Sequence, residues 1–336
     1  YEAAAALGTL LYMDNLDANL KANELCNRYG MDVISTGSTI AWSIEAYENG
    51  LLTEEQTGGL KLSWNNPEML PELIRRIAYR EGLGDILAEG TRRASEKYGG
   101  KEFAIHVKGL ECPMHDPRAL WGMSLTYATS IRGACHCADA NLYADMGLIT
   151  HDELGIKRSW PFKSKGKAAQ TVGSQVKSVI SNSAVICEYV AVAAFCGIKE
   201  MADMINAVTG FGYDINSLRD TADRIWYIKR AIGNLCGATR DDDQLPQRIL
   251  EPHPEGITPN LTSALFPTYI TMKPAGKLRN TKMHEITANI ATKYLFPNID
   301  RLLRGMRFIP GLAAVSYTHL RAHETPEHLV CRLLLE

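Results

Sequence analysis

No apolar run in the chain approaches the roughly twenty residues that a membrane-spanning helix needs. The longest, YVAVAAFCGI (189–198), follows Glu188 and reads as a buried helix instead. Charge of one sign is not in excess either. The formal net charge is -2 and the Lys and Arg residues are scattered, so the electrostatic footprint of a nucleic-acid binder is missing. The eight cysteines include no C-x-x-C pair, which excludes a zinc knuckle or a thioredoxin-type site, and they are too few for a disulfide framework in 336 residues. Such thiols suit a reducing, cytoplasmic setting. The chain opens on Tyr1 with no initiating Met and no leader, so its natural N-terminus is expected upstream. What is present, 46% hydrophobic residues over 336 positions, is enough to bury a large core and favours two domains.

The last stretch, Val315–Glu336, has neither helical nor strand period and resembles the translation of a sequencing-library adapter. We expect a non-native tail over 315–336, which removes His319, His323, His328 and Cys331 from any site.

Elsewhere helical spacing dominates. Leu16, Leu20 and Leu25 define one helix that Gly30 stops, SIEAYENGLL a second that ends at Gly50, and PEMLPELIRRIAYREGLG a third; DILAEGTRRASEKYG makes a fourth. Residues 103–107 alternate weakly, as in a short strand, and a Pro- and Gly-punctuated loop follows. These features place a domain boundary near residue 105, between helical domains over 1–105 and 106–314. In the second, SQVKSVISNSAVICEYVAVAAFCGI accommodates one or two buried helices, and Leu218, Ala222, Ile225, Ile228 and Ile232 mark another.

The densest set of possible ligands is Cys135-His136-Cys137. In extended chain the two thiols share one face and the imidazole takes the other, so the three do not easily meet one ion. A turn permitted by Gly133 and Ala134, with backbone close to a bound group, is the better reading. Arg132 and Arg118 lie near glycine-rich or turn backbone, as anion-holding guanidinium groups do, although an isolated Arg more often serves as an ion-pair partner. Asp32 reads equally as the cap of the next helix and Cys187 as a core thiol.

Taken together, YEAAAALG, CNRYGMDVISTGSTIAWSIEAYENGLL, GLGDILAEGTRRASEKYG, KGLECPMHDPRALWGMSLTYATSIRGACH, SNSAVIC and RDDDQLPQR occur in the order found in the aldehyde ferredoxin oxidoreductases, which the chain resembles from Tyr1 to about Glu251. The resemblance implies a mostly α-helical chain: two helical domains of that family, with a β-rich domain before Tyr1. It implies a tungsten (or molybdenum) bispyranopterin, a [4Fe-4S] cluster and magnesium between the pterin phosphates. Cys187 corresponds to the fourth cluster ligand, because NSAVIC stands at the family's Asp-x-x-Gly-Leu-Cys motif; the C-x-x-C-x-x-x-C segment that supplies the other three is not in this sequence. NRYGMD stands at the second pterin motif, so Asp32 is carried over directly and Asn27 replaces its first Asp, as Asn182 does in the other motif. Asn keeps a carbonyl acceptor and adds donors.

The family's catalytic Glu and His fall on Glu2 and His136, with Arg132 and the Gly133-Ala134 backbone shaping the cofactor pocket. The implied reaction oxidises an aldehyde to a carboxylate and passes two electrons through the cluster to ferredoxin or a related redox subunit, in a protein compatible with a homodimer. Three departures stand out. Lys21 and Glu24 occupy the places of the family's dimer-interface iron ligands, so that iron site is not expected. HDPRA replaces Tyr-Asp-Pro-Arg-Gly, and Ala138 replaces a Lys. The segment 261–310 is also unlike the family's short ending. HDPRA and RGACH resemble the tungsten subunit of benzoyl-CoA reductases, which gives reduction of an aromatic thioester as the alternative; an inactive or scaffold fragment is a third.

Overall fold

The computed structural model describes residues 1–193 and 196–251. The tail over 315–336 and the segment 261–310 lie outside them. The described chain is helical, with one two-residue antiparallel ladder, and no described helix is long and apolar enough to cross a membrane. It divides into two compact units.

The first unit holds Tyr1–Ala138, Trp160–Lys163 and the described residues from Thr239 onward. Its elements are α1 (Glu2–Ala6), α2 (Leu16–Tyr29), α3 (Val33–Glu48), α4 (Met69–Tyr79), α5 (Leu83–Leu87), α6 (Gly90–Tyr98), β1 (His106–Val107), β2 (Leu110–Glu111) and α7 (Trp121–Thr129). The helix α3 is central. Asp32 caps it by accepting from the Ser35 N–H at 2.7 Å, and Ile40, Trp42, Ile44 and Ala46 are buried along it. The Trp42 indole donates to the Gly100 carbonyl at 3.1 Å and stacks on Phe103. Around it α4 buries Met69, Leu70, Leu73, Ile74 and Ile77, the i, i+3/i+4 stripe expected from its sequence.

Several expectations need correction. In α2 the buried stripe is Asn19, Ala22 and Cys26, whereas Leu16 and Leu20 are 68% and 56% exposed. Small side chains on that face let α2 approach its neighbours. The fourth expected helix is two, α5 and α6, because Gly90 at the start of α6 takes a φ of 83°. Residues 106–138 pack with the first unit: the Lys108 amine, 4% exposed, donates to the Ala128 and Ser130 carbonyls and pairs with Asp243.

The second unit holds Asp139–Ser159 and the described residues of 164–238. It contains α8 (Asn141–Asp145), α9 (Lys167–Ser183), α10 (Glu188–Ala193), α11 (Ile198–Thr209) and α12 (Ile215–Leu235). Its core joins Ile149, Leu154, Ile156, Val176, Val179, Ile180, Ile198, Met201, Leu218 and Ile225. The α9 helix is buried on nearly every side, so its polar side chains bond internally: Lys167 pairs with Asp145, and Gln170 donates to Asn141 and Asp145. The segment 174–198 breaks between α9 and α10, where Val185 takes a φ of 58°, and Tyr189 and Val190 of the apolar run are exposed rather than buried. A short helix, α13 (Gln247–Leu250), belongs to the first unit, where Arg248 grips Glu45 through two bonds of 2.9 and 2.7 Å.

Candidate active site

Glu2 opens α1, an alanine run with high helix propensity. A helix of five residues is not stable alone, so its neighbours hold it. The buried Asn19 amide on α2 donates to the Ala4 carbonyl at 3.1 Å. Gly37 on α3 lies so close that a Cβ there would stand 2.3 Å from the Ala6 carbonyl oxygen. Docked in this way, α1 presents Glu2 to the segment 112–118 and to the loop after α7.

That loop carries His136. Gly133 adopts a φ of 117°, and a Cβ at this position would lie 2.3 Å from the Val107 carbonyl oxygen, so the loop is laid directly on the β1–β2 hairpin. The CHC stretch is a turn, as its glycine suggested: Ala138 N–H donates to the Cys135 carbonyl at 3.3 Å. Cys135 is buried, Cys137 is exposed and His136 is between.

One carboxylate serves two imidazoles. Glu2 Oε2 accepts from the Met114 N–H at 2.9 Å. Glu2 Oε1 lies 2.8 Å from His115 Nδ1 and 3.8 Å from His136 Nε2, and the three side chains are 20%, 22% and 25% exposed. The 2.8 Å approach does not meet the geometry of a ring N–H hydrogen bond, so both atoms keep unfilled hydrogen-bond capacity. The two rings stack at 5.2 Å with planes 16° apart, and Tyr1 meets His115 edge-on at 5.0 Å. The Tyr1 hydroxyl donates to the Met114 carbonyl at 2.7 Å and the Tyr127 hydroxyl to the His115 carbonyl at 3.1 Å, which fixes the backbone under the pair.

The surroundings set the charges. Burial pushes the Glu2 carboxyl up, but the His115 contact, the Met114 N–H and the two imidazoles outweigh it and hold it below its ordinary value. Burial pushes His136 down, partly offset by Glu2 and Cys135. Cys135 is held well below the usual thiol value, first by its hydrogen bond with Cys137 and then by the Arg132 guanidinium, whose Nη2 is 2.8 Å from its sulfur. Burial keeps Tyr127 and Cys112 protonated. The group is therefore an ionised carboxylate beside two imidazole rings.

Of the residues singled out from sequence, the structure brings Glu2 and His136 together and sets Arg132 on the same loop. Arg118 is not a free anion holder, since it is bonded to Asp116. Asn27 and Asp32 flank the α2–α3 turn, both exposed. Asn27 donates to the Asn23 carbonyl, and Asp32 Oδ2 caps α3. Lys21 and Glu24 form an exposed ion pair with each other. Asn182 and Cys187 lie in the second unit, both exposed, on either side of the strained Val185. His115 was not singled out, although the HDPRA departure marked its position. Its partner Glu2 is 113 positions away, and no local spacing reveals such a contact.

The donor set fits a cofactor that brings its own metal ligands. Among the described residues no three or more His, Cys, Asp or Glu side chains are arranged to hold a metal ion. Glu2 Oε1, the exposed Asn27 amide and Asp32 Oδ1 are polar atoms that a pterin centre could engage. Cys187 is a single thiol, one quarter of the ligand set of a four-iron cluster.

The family model described as aldehyde ferredoxin oxidoreductase, domains 2 and 3, matches residues 1–272. The chain is 36% identical over 265 residues to the tungsten-containing aldehyde ferredoxin oxidoreductase of Thermococcus kodakarensis, covering 76% of this chain and 42% of that protein. It is 30% identical over 270 residues to the WOR-like subunit of an aliphatic sulfonate oxidoreductase of Pyrococcus furiosus, covering 76% and 39%. The chain thus spans less than half the length of these relatives. Among solved structures it is similar to the active-site complex BamBC of benzoyl coenzyme A reductase in complex with 1,5-dienoyl-CoA, with a TM-score of 0.63 and 19% identity over 88% of this chain and 50% of that one, a likeness of fold. With its helical fold and these matches, the chain belongs to the aldehyde ferredoxin oxidoreductase family, of which it carries domains 2 and 3.

Proposed function

We propose that the chain forms the helical part of a longer tungsten-pterin oxidoreductase that converts an aldehyde and water to a carboxylate, three protons and two electrons, with ferredoxin as acceptor. The observation that carries this reading is the placement of one Glu2 oxygen against both His115 Nδ1 and His136 Nε2. When bound, a tungsten bispyranopterin would supply the two-electron chemistry and a [4Fe-4S] cluster the exit for the electrons. Asn27, Asp32 and Asn182 would contact the pterins, Arg132 would line the pocket, and Cys187 would ligate the cluster.

The protein's own part is proton control. Glu2, ionised near neutrality, accepts a proton from the water that adds to the carbonyl. His136, kept neutral by burial, accepts the next or steadies the developing oxyanion once protonated. Removing protons in this way lowers the barrier to forming the carboxylate.

The test is aldehyde-dependent reduction of ferredoxin by the full-length protein under anaerobic conditions, with tungsten and iron determined on the same sample. Reduction that requires both aldehyde and tungsten supports the reading; a metal-loaded protein inert toward aldehydes rejects it. A second reading, reduction of an aromatic thioester, is favoured by His115 in place of the family's Tyr and draws on the likeness to the benzoyl coenzyme A reductase complex. Oxidation of a reduced electron donor that depends on an aromatic acyl-CoA would select it.

A further inference from the structure

We propose that Glu2, His115 and His136 form one proton-holding unit, in which His115 is a positioning residue that sets the protonation state of His136 through the shared Glu2 oxygen. This goes beyond the role of Glu2 and His136 alone and rests on the reading that those two face the substrate.

The geometry supplies three constraints. Glu2 Oε1 lies 2.8 Å from His115 Nδ1 and 3.8 Å from His136 Nε2, so the two rings share one carboxylate oxygen and His115 holds the nearer place. The rings lie face to face at 5.2 Å, so an imidazolium on one opposes an imidazolium on the other. Glu2 itself is fixed from behind by the Met114 N–H at 2.9 Å, and His115 by the edge-on Tyr1 ring, so neither turns away to relax the conflict. With one negative oxygen and two rings, the unit holds one proton readily and a second only with difficulty.

The remaining charged and titratable groups leave this balance to the trio. From the loop after α7, Cys135 and Arg132 face His136 with opposite effects. On the side of α7 and the segment 112–118, Tyr127 and Cys112 are kept protonated by burial, and Asp116 is occupied by Arg118.

The test reads each histidine by pH-dependent hydrogen–deuterium exchange at its imidazole ring carbon, followed peptide by peptide in the full-length, cofactor-loaded protein. His115→Gln removes the competing ring and frees Glu2 for His136, so the His136 midpoint rises by about one pH unit. Glu2→Gln lowers it. His115→Tyr keeps an aromatic ring on the stack and gives the same upward shift, which guards against a packing defect in the first variant. The pH dependence of kcat moves with the His136 midpoint in each case, while KM stays near its original value. A His136 midpoint unchanged in both folded His115 variants overturns the proposal. If the coupling is present but His136→Ala retains full turnover, the catalytic reading fails and the proton-holding unit stands.

Discussion

A Cβ on Gly133 would stand 2.3 Å from the carbonyl oxygen of Val107, well inside van der Waals contact. The loop that carries His136 therefore rests on the β1–β2 hairpin through bare backbone. Gly133 also has a φ of 117°, which a side chain disfavours. Gly133→Ala is expected to destabilise the fold by about 2–3 kcal/mol, and to lower turnover further by displacing His136. Denaturant unfolding with parallel kinetics checks both, and a variant as stable and active as the parent would show that the loop moves freely.

Cys187 is exposed beside a strained Val185 in the second unit. If it ligates the cluster, Cys187→Ala in the full-length protein removes the four-iron electron paramagnetic resonance signal and lowers iron content. An unchanged signal places the fourth ligand elsewhere.

Lys167 and Asp145 form an ion pair with no exposed surface on either side chain, and Lys167 also donates to Ser159 at 2.9 Å. Removing one partner leaves a buried charge uncompensated. Lys167→Met should cost about 3–5 kcal/mol, and Lys167→Met combined with Asp145→Asn clearly less. Urea unfolding of the single and double variants measures this coupling; equal losses would mean that water reaches the site.

Stability should also depend on pH. His106, His136 and His151 are each held below the ordinary imidazole value of 6.5, first of all by burial. Just below that value the unfolded chain binds more protons than the folded one, so stability rises with pH through this window. The histidine contribution is complete above 6.5 and is lost as pH falls through the lower folded values. Glu2, also depressed, adds a similar loss at more acidic pH, since its stabilisation is present above 4.5 and disappears below its folded value. The midpoint of thermal unfolding is expected to fall between about pH 7.5 and 5.5, and His106→Gln should flatten that fall. A slope unaffected by His106→Gln would remove its burial as a cause.

The helical character, the cap at Asp32 and the stop at Gly30 were legible in sequence because each depends on residues within one turn. The face of α2 was misread because its buried residues are small and polar, so the leucines looked like the core although Asn19 and Ala22 face it. The nearly all-round burial of α9 was hidden for a related reason: its Lys, Gln, Thr and Ser side chains are satisfied by partners up to 33 positions away. At the site, Glu2 and His136 emerged through resemblance to a family motif. His115 did not, because its role is visible only once α1 is docked against the segment 112–118.

The most direct measurement is steady-state aldehyde oxidation by full-length His136→Ala at determined tungsten and iron content. Proton control by His136 predicts a fall in kcat of about 10²- to 10⁴-fold with both metals retained. Turnover equal to that of the parent protein at equal metal content would contradict it.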